Sequence, residues 1–290
     1  MSTILITGSN GQLGKELKQL SVSYPSHTFL FTDYEELDIT NAALVRDFVA
    51  KYKPHFVINC AAFTNVDKAE SEPANALLLN TTAVENLAAA CNSVSACLVH
   101  ISTDYVFDGT SCKPYKENDA TSPTSVYGQT KLQGEQVALS YSKSIVIRTA
   151  WLYSAFGNNF VKTMFKLGKE RQELGVVFDQ VGTPTHAADL AAAIMHIINE
   201  NNTSVANSLP SILHYSNEGV CSWYDFAKKI MQLSRSECTV NPIETKDYPT
   251  PAKRPHYSVL NKSKIKSTYR LAIPHWEESL TKCISKLLND

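Results

Sequence analysis

The stretch "TILITGSNGQLGKEL" at residues 3–17 constrains the fold more than any other in the chain. "TILIT" reads as a short buried strand, the segment from about residue 11 to 20 reads as a helix, and Gly8, Gly11 and Gly14 occupy the turn between them. Glycine lets the chain turn sharply and lets backbone approach a ligand closely. Free N–H groups at a helix start, together with the helix dipole, favour negative charge. A strand feeding a helix through such a turn therefore suits the pyrophosphate of a dinucleotide, with Asn10, Gln12 and Leu13 sharing the cradle. The spacing G-x-x-G-x-x-G is a variant of the usual fingerprint. A tight turn without a ligand is the plainer alternative.

The rest of the first half continues the rhythm. "TFLFT" (28–32), "HFVINC" (55–60), "ACLVHIS" (96–102) and "SIVIRTA" (144–150) read as buried strands. Helical patterns lie between them at 41–53, 73–91 and about 123–142, with Thr40 a plausible N-cap for the first of these. Such alternation predicts an α/β fold, a parallel sheet with helices on both faces. After residue 150 the rhythm loosens. "NNFVKTMFKLGKE", "AADLAAAIMHIINE", "SWYDFAKKIMQL" and "HWEESLTKCISKLL" read as helices, "LGVVF" and "SILHY" as short strands, and the Pro-rich "YPTPAKRP" (248–255) as a shaped loop. Residues 1–150 are expected to form a dinucleotide-binding domain. Residues 151–290 are expected to be mainly a substrate-binding cap, part of 151–220 completing the sheet.

Composition narrows the partners. Lys and Arg number 27 against 28 Asp and Glu, without a basic run, so nucleic acid is not an expected ligand. Seven scattered cysteines without a C-x-x-C argue against a disulfide framework or a zinc site and suit a reducing compartment. "MSTILITGSNG" has no basic n-region, and no segment reaches the ~18 apolar residues of a membrane span. A soluble cytoplasmic protein, either monomer or homodimer, is expected.

Three further features bear on chemistry. Asp33 closes the second strand 19 residues beyond Gly14, where a carboxylate can accept from a ribose diol and repel a 2′-phosphate; this leans toward NADH over NADPH, unless Asp33 merely starts a turn. Asp38 and Ile39 are candidates to flank the adenine, an acidic turn being the alternative. Tyr127 and Lys131 stand four apart in "VYGQTK", on one face of a helix. An ammonium there can lower the phenol's pKa and make it a general acid, while the hydroxyl of Thr103, at the end of a neighbouring strand, can clamp a carbonyl oxygen. An ordinary helix surface is the competing account of the Tyr/Lys pair.

Together, Gly8, Gly11, Gly14, Thr103, Tyr127 and Lys131 resemble the extended short-chain dehydrogenases/reductases. More narrowly, "GSNGQLG", "INCAAFTNVDKAE", "STDYVFDG", "VYGQTKLQGE", "RTAWLY", "DQVGTPTHAADLA" and "YPTPAKRPHYSVL", in order from residue 8 to 260, resemble the dTDP-4-dehydrorhamnose reductase family. The resemblance implies a Rossmann-type doubly wound sheet and NAD(P)H-dependent reduction of a dTDP-4-keto sugar. It implies Tyr127 as proton donor, Lys131 as its electrostatic partner and Thr103 as carbonyl clamp. Ala61, Ala62 and Thr64 would line the cofactor path, and Asn80 would support the active-site helix beside it. Val66, Asp104, Tyr105 and Trp151 would face the sugar, and Arg254 would take the diphosphate. Without the resemblance, Trp151 reads as a core residue and Arg254 as an exposed loop arginine.

Some relatives bind Mg²⁺ through clustered carboxylates at a dimer interface. Glu16 matches one such position, but Ala188 stands where a second is expected, with Asp189 next to it, so the ligand set is incomplete. The alternatives are a 4,6-dehydratase or epimerase of the same superfamily, and a non-catalytic dinucleotide-binding regulatory subunit of methionine adenosyltransferase. Dehydratases carry Asp-Glu where this chain has Asp104-Tyr105, which disfavours dehydration.

Overall fold

The computed structural model describes residues 1–203 and 212–289. Strands β1 (Thr3–Thr7), β2 (Thr28–Thr32), β3 (Phe56–Asn59), β4 (Cys97–Thr103) and β5 (Ser144–Thr149) are parallel, each within a residue of its expected bounds. The strand Ile212–His214 joins β5 and completes a six-stranded sheet in the order Ile212–His214, β5, β4, β3, β1, β2. Part of the second half thus belongs to the sheet, as expected; Ser211, the first residue of "SILHY", lies outside the described residues.

The near-continuous apolar strands have a simple cause, since side chains alternate faces and both faces are buried. Ile4, Ile6, Ile58, Val99, Ile145 and Ile147 enter one apolar cluster, with the helices Gln12–Leu20 and Ala187–Thr203. Leu5, Val57, Leu98 and Val146 enter the other, under the helices Ala42–Tyr52 and Ala83–Val94. A third cluster, built around Tyr153, Phe226, Ile230, Trp276 and Leu280, unites the helices Phe160–Glu170, Trp223–Ser234 and Trp276–Asn289.

Strand order reverses between β1 and β3, and in such sheets ligands bind in the crevice this opens at the carboxyl ends of the strands. Gly8 follows β1 at that crevice with φ of +66°, and a Cβ there would come within 2.6 Å of the Ala61 nitrogen just past β3. Only glycine meets both demands.

Several local expectations are corrected. Asn41, not Thr40, caps the helix Ala42–Tyr52: its side chain accepts from the N–H groups of Ala43 and Leu44, while the Thr40 hydroxyl donates to Asp38. The 73–91 pattern is helical but winds as Pro73–Leu77, a wide π turn at Leu78–Thr82 and then Ala83–Val94, and a short helix, Val66–Ser71, precedes it. The helix expected at 123–142 runs from Val126 to Leu139, because Ser125 caps it by accepting from Gly128 N–H at 3.2 Å. "LGVVF" is the strand Glu173–Val177, paired with an unanticipated Thr239–Ile243. Residues 248–255 form no helix or strand, as expected.

Candidate active site

One cavity of about 900 Å³ begins at the glycine turn, against Gly8, Gly11, Gln12 and Leu13. Asp33, Asp38 and Ile39 line it, as do Ala61, Ala62, Thr64 and Val66. Thr103, Asp104, Tyr105, Tyr127 and Lys131 line it too, as do Trp151 and Trp223. The size and the mixed lining suit a ligand pocket, and the glycine turn leaves the backbone-lined cradle that a diphosphate needs.

Tyr127 and Lys131 are both buried on the inner face of their helix. Beyond Ser125, the carboxylate of Glu70 fixes the helix start by accepting from Val126 N–H at 2.9 Å. Burial pushes the Tyr127 phenol up to about 12; the Thr103 hydroxyl, hydrogen-bonded to it, works the other way, and the Asp104 carboxylate adds to the rise. The expected lowering by Lys131 is not found. The Lys131 ammonium instead donates to the Ile101 carbonyl at 2.6 Å, and burial draws it down to about 8 against the opposing charge of Glu135.

Thr103, the last residue of β4, accepts from Tyr105 N–H at 3.2 Å. Its single proton has two claimants, Asp104 Oδ1 at 3.0 Å and the Tyr127 phenol. Burial raises Asp104 to about 6 despite the hydroxyls of Ser258 and Thr103. Tyr105 meets Tyr127 edge-on, with centroids 5.5 Å apart. Two hydroxyls on one wall can grip a carbonyl oxygen, and a protonated phenol can donate to it.

Four expected contact residues stand back from the cavity wall. Asn10 is exposed, and its N–H is tied to Asp33 Oδ2 at 2.8 Å. Gly14 is required by packing: a Cβ there would come within 2.5 Å of the Gly8 carbonyl, so its smallness lets the helix close on the turn. Asn80, in the π turn, accepts from Phe63 N–H at 2.8 Å and donates to Thr130 Oγ1 at 3.1 Å, bracing the Tyr127 helix without facing the cavity. Arg254 pairs with Asp67 at 2.6 Å.

Trp151 does line the cavity, in the left-handed region at φ +48°, an outlier for a bulky side chain. Trp223, which the sequence showed only as a helix start, is stacked on it. Gly157, Asn158 and Asn159 also line the cavity, and Asn159 Nδ2 donates to Gln12 Oε1 at 2.9 Å. The "NN" that opens "NNFVKTMFKLGKE" was the available signal, read only as the start of a helix. Glu16 is buried and accepts from the Ser154 hydroxyl at 2.5 Å, while Asp189 accepts from Asn217 and Ser279. Among the described residues no group of three or more His, Cys, Asp or Glu is placed to hold a metal ion. No helix among them is long and apolar enough to cross a membrane.

The family model described as the RmlD substrate binding domain matches residues 1–289. A dTDP-4-dehydrorhamnose reductase of Aggregatibacter actinomycetemcomitans is 41% identical over 288 residues, 97% of each chain. The crystal structure of one from Clostridium acetobutylicum superposes with a TM-score of 0.92 at 45% identity, covering 99% of both chains. Another, from Bacillus anthracis in complex with NADP, gives 0.92 at 40% identity over 98% of this chain and 99% of that one. With this likeness running the whole length of the Rossmann sheet and its cavity, the chain belongs to the dTDP-4-dehydrorhamnose reductase family of NAD(P)-dependent oxidoreductases.

Proposed function

We propose that this protein reduces the C4 ketone of dTDP-4-dehydro-β-L-rhamnose to dTDP-β-L-rhamnose, using NADPH or NADH. One observation carries the reading: the hydroxyls of Tyr127 and Thr103 meet on the wall of a cavity that starts at the dinucleotide-type glycine turn. When bound, the nicotinamide supplies the hydride that C4 receives. Tyr127, raised by burial, remains protonated at neutral pH and gives its proton to the resulting alkoxide, leaving a secondary alcohol. Thr103 holds the oxygen beside the phenol. Lys131, anchored by the Ile101 carbonyl on the same cavity wall, would hold the nicotinamide ribose hydroxyls.

In this reading Gly8, Gly11, Gln12 and Leu13 cradle the pyrophosphate, and Asp33 biases the ribose end toward NADH. Val66, Asp104, Tyr105 and Trp151 meet the sugar. Residues 1–150 with the helix Ala187–Thr203 and the strand Ile212–His214 form the dinucleotide unit, and most of the rest of 151–290 the substrate cap. Seven free thiols favour the cytoplasm as its place of action. The test is direct: freshly prepared keto sugar, enzyme and either nicotinamide cofactor should give a falling nicotinamide absorbance and one dTDP-rhamnose per cofactor oxidised. No decay with either cofactor refutes the assignment.

A further inference from the structure

A threonine hydroxyl has one proton to give and two lone pairs with which to accept. Thr103 Oγ1 donates to Asp104 Oδ1 at 3.0 Å and accepts from Tyr105 N–H at 3.2 Å. Its second lone pair is left for the Tyr127 phenol, to which it is hydrogen-bonded. All three capacities are then engaged, and the phenol turns its proton toward Thr103. Both residues line the cavity, yet in this state neither hydroxyl is free to grip a ketone.

That direction of bonding lasts only while Asp104 is charged, since a carboxylate can only accept whereas a protonated carboxyl also donates. Asp104 is 2% exposed, and its Oδ2 is buried with no hydrogen-bond partner among the described residues. Burial raises its carboxyl to about 6, while the hydroxyls of Ser258 and Thr103, its own N–H and that of Tyr105 favour the charge. The helix Val126–Leu139, packed against this turn, brings the neutral Tyr127 and Lys131, whose ammonium donates to the Ile101 carbonyl. Arg254 and Asp67, which act on Tyr105, are paired with each other. Both forms of Asp104 therefore lie within reach of ordinary pH.

We propose that Asp104 is a positioning residue for the reduction, acting through Thr103. Charged, it takes the Thr103 proton and turns both hydroxyls away from the ketone. Protonated, it donates to Thr103 Oγ1 and frees the threonine proton for the ketone oxygen, beside that of Tyr127. This rests on the ketone-reduction reading of the cavity. In the step itself C4 receives hydride and its oxygen receives the Tyr127 proton. Asp104 and Thr103 finish with the protons they began with.

Single-turnover oxidation of bound NADPH by the keto sugar, followed from pH 5 to pH 8, reads this arrangement without requiring Tyr127 to be reprotonated. The wild-type rate should be level below about pH 6 and fall by up to about tenfold per pH unit above it, because one lost donor to such an oxygen costs ~10²–10³. Asp104→Asn is neutral throughout and should lose this pH dependence. Ser258→Ala removes a hydroxyl that favours the charge, so it should move the midpoint upward and leave the low-pH rate unchanged. A level wild-type profile, a slope that survives in Asp104→Asn, or an unmoved midpoint in Ser258→Ala overturns the proposal. Wild type that oxidises no NADPH with the keto sugar at any pH removes the ketone-reduction reading instead. The coupling of Asp104 to Thr103 is then decided without substrate, by infrared titration of the carboxyl band that Asp104→Asn lacks. Its midpoint should rise in Thr103→Val, which has lost the donor to the carboxylate, and an unmoved midpoint overturns the proposal.

Discussion

The indoles of Trp151 and Trp223 are stacked with centroids 3.5 Å apart and planes 8° from parallel. Trp151 sits at a left-handed backbone position that costs of order 1–3 kcal/mol for such a residue, so its neighbours must hold it there. Gly182 contributes by its smallness, since a Cβ there would come within 2.6 Å of Trp151 Cε2, and Trp223 contributes by covering one indole face. Trp223→Ala removes a contact worth about 0.5–1.5 kcal/mol beyond area burial. We expect KM for the sugar nucleotide to rise roughly three- to tenfold, with NADPH affinity retained. With only three tryptophans in the chain, loss of the exciton band in circular dichroism would report the broken stack. An unchanged KM alongside a lost band would mean that Trp151 needs no such support.

Tyr127 offers the plainest chemical test. Its phenol is buried, contacts the Thr103 hydroxyl and faces the cavity. Tyr127→Phe keeps the ring packed edge-on against Tyr105 and removes only the proton source. Turnover should fall by ~10²–10⁴, the usual contribution of a general acid, while the dissociation constant of the dinucleotide stays near that of wild type. Full turnover in this variant would move the proton donor elsewhere.

Much of this architecture was legible because the sheet is buried on both faces. Ile4 and Ile6 point one way and Leu5 the other, so an apolar run of β-branched residues admits few readings. Several contacts between distant segments were not legible. Lys131 reaches Ile101, 30 residues away, rather than the phenol four residues back. Arg254 finds Asp67 across 187 residues. The π turn at Leu78–Thr82 lies inside "LLLNTT", which has the same helical appearance whether wound with one turn or the other. Two-residue strands such as Leu152–Tyr153 and Val181–Gly182 are too short to carry any periodicity. Trp223 carried a visible helix-start pattern, but nothing local said that its ring lies on Trp151.

Asp33 performs two tasks that one substitution separates. Its carboxylate accepts from Asn10 N–H at 2.8 Å and from Tyr34 N–H at 2.9 Å, so it closes the glycine turn as well as lining the cavity. Asp33→Ala should lower kcat/KM with both cofactors by loosening the turn. It should also shift the NADPH-to-NADH ratio toward NADPH by on the order of fivefold, because a charge facing the 2′-phosphate is gone. Steady-state kinetics with each cofactor measures both effects. A common loss at constant ratio would leave Asp33 a turn residue without a part in discrimination.

Asp104 makes stability depend on pH with an unusual sign. Burial raises its carboxyl from 3.8 to about 6, the reverse of a carboxylate held by a cation. Between those two values the folded protein keeps a proton that the unfolded chain has lost. Stability varies with pH as the protons bound by the unfolded state minus those bound by the native state, so this group makes stability fall as pH rises through that window. The groups that face it are the hydroxyls of Thr103 and Ser258, which favour its charge, and the Tyr127 phenol and Tyr105, which stay neutral there. Asp104→Asn cannot titrate. Urea unfolding at intervals from pH 4 to pH 6 should therefore show a wild-type slope more negative than the variant's by up to about 1.4 kcal/mol per pH unit. Above pH 6 the wild type carries a buried charge and the asparagine variant should be the more stable of the two. Parallel slopes across the window would mean that the carboxyl ionises as freely in the native protein as in the unfolded chain.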